Sequence, residues 1–153
     1  VNTDLLQLEI ANESSLPPAL SALAARVAKA TATAVHMHGT VSLRVCSDQD
    51  MHNLNHQFRN VDRPTDVLAF PSGEVGTDNH ILGDIALSHE RTLSQGLDFG
   101  HGSEREFAYL LTHALLHLAG HSHEKAEDYA NMRELEERIL ACVGLSRETA
   151  TAR

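Results

Sequence analysis

His113, His117 and His123 are the residues whose type and spacing point most directly to chemistry. Neutral imidazole is a common metal ligand. The first two lie four residues apart in the apolar run from Leu110 to Leu118. On a helix both rings then stand on one face, separated by roughly 6 Å of rise. Two rings so placed can reach one ion at ~2.0–2.1 Å. Gly120 ends such a helix and lets the chain double back, bringing a third nitrogen from His123 into range. Three protein ligands leave a position open for water, as catalytic sites do. His121 also lies past the glycine and reads as an outer group or a surface histidine; as a fourth ligand it would close the site.

The pattern H-x3-H-x5-H, with its glycine, has the spacing of the metzincin motif HExxHxxGxxH. In HExxH proteases the Glu beside the first His is the general base. Here that position is Ala114, which moves no proton. The helix keeps a metal cage and drops the peptidase base. A phosphodiester fits such a site: a metal polarises a phosphoryl oxygen and lowers the pKa of its water, while a cation steadies the anionic transition state. Arg59 carries the planar guanidinium suited to phosphate, or is simply a cation at a helix C-terminus; on the residues alone the second reading leads. Asp84, in an otherwise apolar strand, would either orient a ligand histidine or cap a turn. Asp66 has the same two readings with the structural one ahead, and Thr65 reads as a structural hydrogen-bonder. His36, His38, His52, His56, His80, His89 and His101 show no ligand set and read as surface or loop residues. Glu124, Glu127, Asp128, Glu134, Glu136 and Glu137 read as a solvated helix face.

The elements that must position these residues follow from periodicity. Leu5 to Ile10 reads as a strand, Ser14 to Pro18 as the start of a helix with Leu20, Leu23, Ala24 and Val27 on its apolar face, and Val41, Leu43 and Val45 as a half-buried strand. Ser47 with Asp50 resembles a helix start, with Met51, Leu54 and Phe58 as its stripe. Thr65 to Phe70 and Ile81 to Leu87 predict two strands whose connection permits antiparallel pairing. A weak helix is expected over Ser88 to Gln95. Ser103 with Glu106 is a capping box for the histidine helix, and a last helix carries Met132, Leu135, Ile139, Leu140 and Val143 on one face. The order β-α-β-α-β-β-α-α predicts an α+β fold, a mixed sheet of about four strands with four to five helices and a metal site at the end of the His113–His117 helix.

Composition sets the frame. The 153 residues, 42% of them apolar, suit one domain over 1–153. No apolar run approaches the ~20 residues of a membrane span, so no membrane is expected. The start, Val1-Asn2-Thr3-Asp4, lacks a signal-peptide layout, and Cys46 and Cys142 form no framework, so a reducing, cytoplasmic setting is expected. The net charge of −9 repels nucleic acid at long range. RNA binding would rest on Arg44, Arg59, Arg63, Arg91 and Arg105 sharing a groove, with a ribosomal or protein partner for targeting.

Four stretches carry a resemblance: Leu54-Asn55 to Arg59, "RPTDVLAFP" (Arg63–Pro71), "LGDIALS" (Leu82–Ser88), and His113 to His123. In this order they resemble the YbeY family, bacterial and organellar single-strand-specific endoribonucleases, from the first strand to about Leu145. The resemblance implies one zinc ion per chain, or another divalent transition metal, held by His113, His117 and His123. It implies a catalytic role for Arg59, single-stranded RNA and ribosomal RNA as substrates, and work in ribosomal RNA maturation and ribosome quality control. A ribosome or ribosome-associated protein is the implied partner, and no DNA is expected. Two departures stand out: Ala69 replaces the usual Ser, and "GHSH" (Gly120–His123) replaces the usual "GYDH", removing a carboxylate beside the third ligand. The alternatives are a non-catalytic ribosome-assembly factor with a structural zinc, and a metzincin-like metallohydrolase of another substrate class.

Overall fold

Alternating and helical patterns in this chain resolve into a sheet with helices on both faces. The computed structural model describes residues 6–11, 16–72, 81–92, 102–120 and 126–145. The strands are β1 (Leu6–Ala11), β2 (Gly39–Cys46), β3 (Val67–Pro71) and β4 (Ile81–Ser88). The long helices are α1 (Pro18–Val35), α2 (Asp48–Arg59), α3 (Gly102–Leu118) and α4 (Ala126–Cys142), with a short helical run over residues 89–92. The fold is α+β, and the expected element order is the observed one.

The sheet runs β1-β2-β4-β3. β1 pairs parallel to β2, and β2 parallel to β4. β3 pairs antiparallel to β4, with Phe70 opposite Asp84 and Leu68 opposite Ala86. β3 is thus an edge strand. The Ser88 N–H donates to the Asp66 carbonyl at 2.9 Å, and the Ser72 N–H to the Leu82 carbonyl at 3.0 Å. Backbone groups alternate sides along a strand, so those of Val67 and Ala69 face the open edge.

One face of the sheet presents Val41, Leu43, Ile85 and Leu87 to α1 and α3. The other packs Cys46, Leu68 and Ala86 against Met51 of α2. α3 is central: Phe107, Leu111 and Leu115 are fully buried, each contributing roughly 1.5–3 kcal/mol of burial. α4 lies outside it, with Leu116 of α3 packed against Met132 and Ile139.

Local signals explain the helix ends. Ser47 Oγ accepts the Asp50 N–H at 3.1 Å, the expected N-cap of α2. Gly120 follows α3 at φ 97°, and its N–H reaches the His117 carbonyl at 3.0 Å, as its reading as a C-cap requires. The helix starts slightly ahead of the expected capping box. α3 already includes Gly102 and Ser103, and Glu106 is drawn into the buried face beside Phe107. The expected helix over Ser88 to Gln95 is seen at residues 89–92; its remainder lies outside the described residues.

Candidate active site

A cleft of about 690 Å³ opens between α3 and the edge strand β3. Its α3 wall is Tyr109, His113, Ala114 and His117. The opposite wall is Arg59 at the end of α2, the segment Val61 to Asp66, and β3 itself. Asn55 secures that segment: its Nδ2 donates to the Arg63 carbonyl at 2.9 Å, and its own carbonyl receives the Val61 N–H.

The helical spacing of His113 and His117 brings their Nε2 atoms within 3.2 Å of each other. Two ligands of a tetrahedral ion with bonds of ~2.0–2.1 Å stand about 3.3–3.4 Å apart, so the pair fits a shared metal. The Tyr109 ring stacks on His113, centroids 5.8 Å apart. His113 Nδ1 meets Glu136 Oε2 at 2.5 Å. Among the described residues no three His, Cys, Asp or Glu side chains converge on one position. The expected third ligand, His123, lies outside the described residues, as do His121, His80, His101 and Glu124.

Arg59 Nη2 donates to the Ala69 carbonyl at 3.3 Å, which draws the guanidinium to the edge of β3. Arg63 shares the cleft, as do Thr65 and Asp66. The other three arginines are elsewhere, so the expected five-arginine groove does not form. Arg44 lies on the opposite sheet face, because β2 turns alternate side chains to opposite sides. Arg91 pairs with Asp48 at 2.8 Å. Arg105 is buried in an ion pair with Glu137 at 3.0 Å.

Two further expectations are corrected. Asp84 is exposed on the face opposite the histidines, beside Ser42, Arg44 and Phe70, and so orients neither described ligand. The adjacent Ile85 faces the other way, into the core under α1 and α3. The acidic stretch of α4 is not one solvated face, because the Glu136 side chain is 1% exposed and Glu137 holds Arg105. A signal for Glu136 was available. Met132, Glu136, Ile139, Leu140 and Val143 fall on one helical stripe, so the carboxylate interrupts the buried face. Of the histidines read as surface residues, His36, His38 and His56 are exposed. His52 contacts Asp62 at 2.7 Å, and His89 has a buried Nε2.

A glycine sets how closely α3 approaches the sheet. A Cβ at Gly83 would lie 2.4 Å from the Phe70 carbonyl oxygen and 2.9 Å from Leu118, the residue after His117. The "LGD" stretch thus admits the end of the histidine helix against β4 and β3.

Fold and cleft together describe an α+β chain with a histidine pair facing an arginine. The family model for Endoribonuclease YbeY matches residues 7–144. An Endoribonuclease YbeY of Desulfitobacterium hafniense is 42% identical over 129 residues, covering 76% of this chain and 82% of that one. One of Chloroflexus aggregans is 42% identical over 137 residues, covering 83% and 90%. The solution structure of TM1509 from Thermotoga maritima superposes with a TM-score of 0.57 at 26% identity, covering 90% of each chain. The chain belongs to the YbeY endoribonuclease family.

Proposed function

We propose that this chain is a metal-dependent endoribonuclease that cuts single-stranded RNA in the cleft between α3 and β3. The observation that carries the metal reading is the 3.2 Å approach of the two Nε2 atoms on a wall that faces Arg59. His113, His117 and His123 would hold the ion; an all-imidazole set suits zinc among other divalent transition metals, and zinc is the one the family resemblance implies. When bound, the ion supplies a Lewis acid for a phosphoryl oxygen and lowers the pKa of water.

The chain's own groups do the rest. Arg59 holds phosphate charge; of its five N–H donors, one is seen on Ala69, and that contact keeps the guanidinium beside β3. Arg63 adds positive charge along the same wall. Ala114, 1% exposed, leaves the α3 wall without the carboxylate base of a metallopeptidase. With the chain at net −9 and two arginines lining the cleft, binding from charge alone is weak and salt-sensitive. Delivery to ribosomal RNA through the ribosome or a ribosome-associated protein, in maturation and quality control in the cytoplasm, is part of the proposal.

The test is cleavage of a single-stranded ribosomal RNA fragment by zinc-loaded protein beside a His117→Ala variant purified identically. Loss of cleavage in the folded variant is expected. Equal cleavage by both would overturn the proposal and favour the assembly-factor reading.

A further inference from the structure

We infer that Glu136 is a positioning residue: it fixes His113 as the Nδ1–H tautomer and aims its Nε2 lone pair at the metal position. The inference rests on the metal reading above and adds a residue from a different helix to the site.

A ligating imidazole must present a lone pair at the correct nitrogen, and neutral histidine has two tautomers. The contact with Glu136 selects between them. A carboxylate oxygen 2.5 Å from Nδ1 is satisfied by a proton on that nitrogen and opposed by a lone pair there. The lone pair then falls on Nε2, the atom that approaches His117 Nε2 at 3.2 Å. The Glu136 side chain is 1% exposed, so little water competes for the carboxylate.

The surroundings assign Glu136 to this task. Its neighbour Glu137 is held by Arg105, whose Nη2 reaches both carboxylate oxygens, at 3.0 and 3.2 Å. That pair docks α4 on α3. Met132 and Ile139, on the same stripe as Glu136, pack against Leu116 of α3. Tyr109, one turn before His113, stacks on the imidazole and helps to restrain its plane. A carboxylate on a ligand's distal nitrogen also raises the basicity of the ligating one. Loss of such a partner typically costs about 10- to 100-fold in metal affinity.

The test uses the full chain as wild type, Glu136→Gln and Glu136→Ala. Ring nitrogen NMR on metal-free protein reads the His113 tautomer, and competition with a chromophoric chelator reads zinc affinity. The Nδ1–H form is expected in the wild type, with loss of that preference in Glu136→Ala and a zinc affinity lower by about 10- to 100-fold. Glu136→Gln keeps the volume and a carbonyl acceptor without the charge; an intermediate loss is expected, and this variant decides if the alanine protein fails to fold. Wild-type zinc affinity in a folded variant, or a wild-type His113 protonated on Nε2, would overturn the inference and leave the metal reading standing. Absence of zinc binding by the wild type would overturn both.

Discussion

Arg59 and Ala69 are joined by a hydrogen bond of 3.3 Å from a guanidinium nitrogen to a strand carbonyl, which ties the end of α2 to the outer edge of β3. The bond makes Arg59 directional. A lysine keeps the charge but cannot hold the carbonyl while offering a planar fork to phosphate. Arg59→Lys is expected to lower kcat/KM for single-stranded RNA by about 10- to 100-fold, the loss of one or two charge-assisted bonds, with stability nearly unchanged. Full activity in the lysine variant would show that charge alone suffices.

Ala114 is buried on the cleft wall between His113 and Leu115. Ala114→Glu would rebuild the HExxH pattern but desolvate a carboxylate. It is expected to lower unfolding free energy by about 2–4 kcal/mol and to yield no peptide cleavage. Urea unfolding and a peptide assay check the two halves separately.

Gly83→Ala tests the fit of α3 against the sheet. The added carbon meets a strand carbonyl and Leu118, and the carbonyl cannot yield as a flexible side chain would. A loss of about 1–3 kcal/mol is expected, with weaker zinc binding because His117 adjoins Leu118. A stable variant with unchanged zinc affinity would show that β3 and α3 separate freely.

The Arg105 side chain is 3% exposed, and Glu137 is its described partner. Glu137→Gln leaves the guanidinium buried opposite a neutral amide. Denaturant unfolding is expected to show a loss of about 2–4 kcal/mol, because an uncompensated buried charge costs more than the intact pair contributes.

At the surface, the hydrogen bond from His52 holds the Asp62 carboxyl below its usual range, helped by the charge of His56. A lowered folded value means that this contact stabilises above the unfolded pKa and is lost as pH falls through the folded one. His52→Ala is expected to raise the Asp62 titration, followed by carboxyl NMR, towards the ordinary carboxylate range near about 3.9, with the charge of His56 still holding it slightly below.

Much of this architecture was legible because each element carries its own period. Val41, Leu43 and Val45 alternate, Ser47 accepts from Asp50, and Gly120 punctuates α3, so element order, the antiparallel β3–β4 pair and the ligand helix follow from local physics. What depended on packing between distant segments was not legible. Helical periodicity marks Glu136 as an interruption of the buried stripe, but does not show that docking of α4 against α3 turns it to His113 and its neighbour Glu137 to Arg105. The reading of Asp84 as an orienter of a ligand histidine fails for the converse reason: an apolar run does not reveal that this one position of β4 is exposed on the face away from α3.

The edge strand that walls the cleft also bears on how copies of this chain avoid one another. An open strand edge invites pairing with a second molecule and, through it, aggregation. β3 is short, the Ala69 carbonyl is occupied by Arg59, and Pro71, at an outward-facing position, has no N–H to offer. The contact that presents the guanidinium to the cleft therefore also blunts the sheet. Removing it would be expected to cost colloidal behaviour as well as catalysis.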